Sequence, residues 1–134
     1  MHLPMDLRDA ALESCEPVKD RLTVLPPDTT ISISEIKTGV LIVWATWSLP
    51  AKRALEALAA SLSSHADFEE ISLWVADNDE EKTQQFMDSV GQTPCGTGET
   101  FWIRNGQIVA RLSNYTAINW SLLIQNHRKL LAPE

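Results

Sequence analysis

Two apolar runs without a charged residue, Val40–Ala45 and Ile71–Ala76, dominate the pattern of hydrophobic and polar positions. Runs of this length, rich in β-branched residues, are expected of strands covered on both faces. Between them Ala51, Ala54, Leu55, Leu58 and Leu62 recur at helical spacing. Ser48 is placed to cap that helix and Pro50 falls in its first turn, where a missing N–H costs nothing. After the second run, Asp77-Asn78-Asp79 supplies a turn and a cap, and Phe86, Met87 and Val90 predict a helix ending before Gly91. Thr100–Ile103 and Gln107–Leu112 flank Asn105-Gly106, the strongest short signal for a hairpin. Ile118, Trp120, Leu123, Ile124, His127 and Leu131 predict a C-terminal helix.

The stretch before residue 39 is less regular. Leu7, Ala11, Cys15, Val18 and Leu22 share a helical face, with Pro17 bending or breaking the helix. Cys15 would then face the core as a small hydrophobe. Pro26-Pro27-Asp28 marks a loop. The alternation in Thr30-Ile31-Ser32-Ile33-Ser34 predicts a short strand. Residues 1–38 therefore read as an N-terminal extension of helix and loop within the same domain, and residues 39–134 as its core. The order strand, helix, strand, helix, hairpin, helix defines an α/β fold: a central mixed β-sheet flanked by helices, the first two strands parallel through a right-handed crossover.

Composition narrows the function classes. With 11 Lys and Arg against 18 Asp and Glu, the net charge is −7 and the basic residues are scattered, which argues against a nucleic-acid partner. No stretch reaches the ~20 apolar residues that cross a bilayer, so no membrane is expected. The N-terminus lacks the basic start and apolar run of a secretory signal, and the two distant cysteines, Cys15 and Cys95, suit free thiols in a reducing cytoplasm. The histidines and cysteines show no ligand spacing, so neither a metal nor a cofactor is expected.

The segment Trp44-Ala45-Thr46-Trp47-Ser48-Leu49-Pro50-Ala51-Lys52 follows the first apolar run directly. It resembles the active-site segment of the thioredoxin family, Trp-Ala-x-Trp-Cys-Gly-Pro-Cys-Lys, and Phe101–Gln107 is similar to that family's hairpin. The resemblance spans roughly residues 39–131 and implies a thioredoxin-like fold. Trp44, Ala45, Trp47, Pro50 and Lys52 keep the frame, but Ser48 and Ala51 stand at the two cysteine positions. Disulfide exchange needs one thiolate to attack and another to resolve the mixed disulfide; a hydroxyl and a methyl group do neither.

The family's proton relay is replaced as well. Ile42 stands where redox-active members often carry a buried aspartate, and Leu73 where a lysine pairs with it. An aliphatic pair is the stable choice once that work is gone, so Ile42 and Leu73 should face each other in the buried sheet. The family's cis-proline, which lies beside bound peptide, corresponds by count to Gly98, or to Pro94 if the loop is longer.

The resemblance implies a degenerate, redox-inactive member that is not an enzyme. It would act as an adaptor, binding an unidentified protein or peptide through Trp47, Ser48, Leu49, Pro50, Thr97 and Gly98. The alternative is a thiol-dependent redox or sensing protein using Cys95, which the helix N-terminus would activate. A nucleophilic Ser48 would need a base and an oxyanion site, and no histidine or Gly-x-Ser-x-Gly elbow accompanies it.

Overall fold

In the computed structural model, which describes residues 7–93, 96–113 and 120–131, a five-stranded sheet has the order β1-β3-β2-β4-β5. Its strands are β1 (Leu22–Val24), β2 (Thr38–Trp44), β3 (Ser72–Asp77), β4 (Thr100–Arg104) and β5 (Gln107–Leu112). The helices are α1 (Leu7–Ser14), α2 (Leu49–Ser63), α3 (Glu81–Ser89) and α4 (Trp120–Leu131). β1 and β2 run parallel to β3, while β4 and β5 are antiparallel additions. The sheet is thus mixed, as the element order required.

Alternation along the strands builds a core on each face. Val40, Ile42, Trp44, Leu73, Val75 and Trp102 pack with α1, α2 and α4, against Leu55, Leu58, Leu62 and Leu123. Leu41, Val43, Phe101 and Ile103 point the other way, against Phe86 and Met87 of α3 and against Ile36. Each fully buried aliphatic or aromatic side chain contributes about 1.5–3 kcal/mol, so β2, buried from Gly39 to Trp44, is the best-anchored segment. Asn105 and Gly106 turn the hairpin at φ 50° and 76°, as a type I′ turn requires. Their N–H groups donate to the carbonyls of Lys37 and Ile36 at 2.7 and 2.9 Å, tying the hairpin tip to the entrance of β2.

Four expectations change. Leu22 leaves the helical stripe: α1 stops at Ser14, a 3₁₀ segment spans Glu16–Arg21 with Pro17 at its start, and Leu22 opens β1. Proline ends the helix, and the free edge of β3 supplies the ladder that local spacing cannot reveal. The expected strand over residues 30–34 is absent; a 3₁₀ turn covers Ile33–Glu35. Both edges of β2 are taken by β3 and β4, and β3 is paired by β1, and Ile31 and Ile33 pack on the second core instead of joining a ladder. Glu80, without a side-chain cap bond, holds the N-cap of α3; Asp77 instead accepts from the Asp79 N–H at 3.0 Å. Ile42 pairs with Val75, and Leu73 with Val40, so the two are diagonal members of one buried face rather than direct partners. The helix expected near Ile118 begins, as described, at Trp120; Ile118 lies outside the described residues.

One polar chain crosses the first core. The Trp102 Nε1–H donates to His127 Nδ1 at 3.0 Å. An indole only donates, so Nδ1 must carry the lone pair and Nε2 the proton. Nε2 then donates to Ser61 Oγ at 2.7 Å, and the Ser61 hydroxyl donates to the Leu58 carbonyl at 2.8 Å. Every group is satisfied only while His127 is neutral. Burial, with the Arg21 cation adding to it, lowers its pKa to about 4.

Two outcomes test this core. Ile42→Asp should cost roughly 3–5 kcal/mol in urea unfolding, because it buries a carboxyl with no partner; near-wild-type stability would contradict the burial of β2. Since the His127 pKa is depressed from its unfolded value of about 6.5, the unfolded chain binds more protons between those limits, and stability falls as pH drops through that window. The loss from this group between pH 7 and pH 4 should be on the order of 3 kcal/mol. His127→Gln should flatten that part of the profile; identical slopes in the two proteins between pH 5 and 7 would refute a neutral buried imidazole.

Candidate functional site

β2 ends at Trp44, and the chain turns through Ala45–Trp47 into α2 at the C-terminal end of the parallel strands. Ser48 has extended backbone angles (φ −104°, ψ 116°), and its Oγ accepts from the Ala51 N–H at 3.2 Å. This N-cap is worth about 1 kcal/mol and leaves the Ser48 hydroxyl buried. Ala51 is fully buried, so its methyl group faces the core. His127 is held in the buried chain, and His65 Nδ1 meets Ser64 Oγ at 2.8 Å; both described histidines are thus engaged away from Ser48.

Trp47 is 63 % exposed and Leu49 57 %, with Pro50 exposed beside them. Exposure does not leave Trp47 loose. Its Nε1–H donates to Asp79 Oδ2 at 2.8 Å, and its ring covers Gly96, where an added Cβ would lie 2.5 Å from Cη2. Gly98, at φ 90°, packs on the first turns of α2, an added Cβ there lying 2.9 Å from that of Ala54. Thr97, half-buried, donates to the Ser113 carbonyl at 2.8 Å, which ties the loop to the end of β5.

The six expected surface residues therefore do gather at one end of the sheet, but in two roles. Trp47, Leu49 and Pro50 form the outer face, with Thr97 at its margin. Ser48 and Gly98 are buried and shape that face from beneath. Of the two positions weighed for the cis-proline, Gly98 packs against α2, and Pro94, like the candidate thiol Cys95, lies outside the described residues. Cys15 is a free, buried thiol, pushed up to about 12 by burial, which makes it unreactive at neutral pH.

The sequence reading missed three contributors. Asp79, read as part of a helix cap, holds the Trp47 indole. Gly96 is the seat of the Trp47 ring, and its glycine spacing to Gly98 was the only local signal. Glu99 is buried immediately before β4, with Oε1 3.3 Å from Thr97 Oγ1; nothing in the pattern marked it. Among the described residues no group of His, Cys, Asp and Glu is arranged to hold a metal ion, and no helix is long and apolar enough to cross a membrane.

This strand order and this helix start define a thioredoxin fold. Mitochondrial thioredoxin 3 of Saccharomyces cerevisiae, in its oxidised form, matches with a TM-score of 0.61 at 17 % identity over 81 % of this chain and 95 % of that one. Thioredoxin O2 of Arabidopsis thaliana, also oxidised, matches at 0.60 with 15 % identity, over 82 % and 94 % of the two chains. Thioredoxin of Malassezia sympodialis matches at 0.57 with 20 % identity, over 81 % and 90 %. No family profile and no curated protein matches the sequence. The chain is a thioredoxin-fold protein.

Gly96→Ala should lift the Trp47 ring from its seat, since both the added Cβ and the φ of 71° oppose it. The Trp47 indole N–H resonance should shift and sharpen its exchange with solvent; an unmoved resonance would contradict the packing of ring on glycine.

Proposed function

We propose that this thioredoxin-fold domain performs no dithiol exchange and binds a protein or peptide segment through the face formed by Trp47, Leu49 and Pro50 with the 96–98 loop, without a cofactor. The observation that carries this reading is the pairing of an inert helix start with an exposed aromatic one. Ser48 caps α2 and Ala51 is buried, so the two positions where exchange would need thiolates hold groups with structural work only. Beside them Trp47 and Leu49 remain open to solvent on otherwise well-packed elements. Tryptophan-centred apolar patches on rigid supports are favoured in protein recognition, because the ring buries much area and loses little freedom.

Insulin disulfide reduction with dithiothreitol should not exceed background. Selection of displayed extended peptides should yield ligands that shift the amide resonances of residues 46–50 and 96–98. Those ligands should not bind a Trp47→Ala, Leu49→Ser double variant. Turnover like that of a dithiol thioredoxin, or ligands that map to another face, would overturn the proposal.

A further inference from the structure

The turn between β3 and α3 carries Asp77, Asp79, Glu80 and Glu81 within five residues, and it is this turn that grips Trp47. Among the described residues the ion pairs are Lys19–Glu16 and Arg128–Asp67. None of the four carboxylates of the turn is neutralised in that way. Asp79 is exposed, while Asp77 and Glu80 line a cavity of about 580 Å³ beside β1 together with Arg8 and Lys19, so the carboxylate that meets Trp47 is that of Asp79. Cations do stand nearby: Lys82 follows on α3, and Lys52 and Arg53 are exposed on the first turns of α2. Trp47 therefore has an exposed carboxylate, Asp79, in direct contact with its indole, and Lys52 and Arg53 on the helix that follows it.

Trp47 itself is prepared for a cation. Its indole N–H is bound to a carboxylate, which increases electron density on the ring, and a ring face attracts Lys and Arg through its quadrupole. The ring is also fixed on both sides, by Asp79 and by Gly96, so little freedom is lost when a ligand covers it. An aliphatic stem lying over Trp47 and Leu49 would carry its charged end to Asp79.

Resting on the binding function proposed above, we infer that the segment bound here is basic: it places a Lys or Arg side chain over Trp47, with its charge at Asp79. An uncharged apolar peptide would leave the Asp79 carboxylate unanswered, and an acidic one would be repelled from it.

The test uses a random heptapeptide library displayed on phage, selected on the full chain, on Asp79→Asn and on Trp47→Ala. Asparagine keeps an acceptor for the Trp47 indole and removes only the charge, and an unchanged circular dichroism spectrum and melting curve would show that it folds. Wild type should enrich peptides with Lys or Arg. Replacing that residue by norleucine in the synthetic peptide, or Asp79 by asparagine, should weaken binding about three- to tenfold. Raising the salt from low to high should weaken wild type more than Asp79→Asn. Ligands that depend on Trp47 yet show no excess of Lys or Arg, or bind Asp79→Asn equally well, would overturn this inference and leave the binding function standing. Failure to enrich any ligand dependent on Trp47 would overturn both.

Discussion

β2 has both edges paired and is buried on both faces from Gly39 onward, and this one constraint arranges the rest of the molecule. A strand without a free edge or face leaves its neighbours few choices. β3 lies parallel on one side because α2 has carried the chain back, and β4 lies antiparallel on the other, with β5 added through the hairpin. Helices must then cover both faces, since the alternating side chains of β2 are apolar on each. The end of β2 is consequently rigid, and the start of α2 inherits that rigidity. The Trp47 face built there is held by the best-packed part of the protein.

The buried chain from Trp102 through His127 and Ser61 to Leu58 serves the same frame. A polar group in a core is costly unless every donor and acceptor is used. Here each is used once, in one direction, and the three side chains come from β4, α4 and α2. The network therefore specifies how α4 sits on the sheet more narrowly than apolar packing alone would. Phe68, from the 3₁₀ turn Ala66–Phe68, packs edge-on to His127 at 5.2 Å between ring centres and closes this buried chain from the side.

At the start of α2 the side chains do structural work. Ser48 keeps the capping position, Ala51 keeps the buried one, and Ile42 fills the space beneath with hydrocarbon. The polar contacts that remain at the surface, Trp47 with Asp79 and Thr97 with Ser113, position side chains and loop rather than protons. Their effect is to fix the shape and the charge pattern of a face.

Much of this was determined locally and so was legible in the chain. The continuous apolar runs marked β2 and β3 because a strand covered on both faces has no polar side to show. Ser48 and Pro50 marked the start of α2 because cap chemistry depends on neighbours within four residues, and Asn105-Gly106 marked the hairpin through its backbone conformation. The frame of Trp44, Trp47 and Pro50 pointed to the site for the same reason. What tertiary structure alone decided depends on partners distant in sequence. Leu22–Val24 became a strand because β3 offered an edge, whereas the equally plausible alternation over residues 30–34 packs Ile31 and Ile33 on the second core without joining the sheet. Ile42 met Val75 instead of Leu73 because register is set by the whole ladder. Trp47 was fixed by Asp79 and Gly96, and His127 by Trp102 and Ser61; periodicity records which way a side chain faces, but not which distant group will meet it.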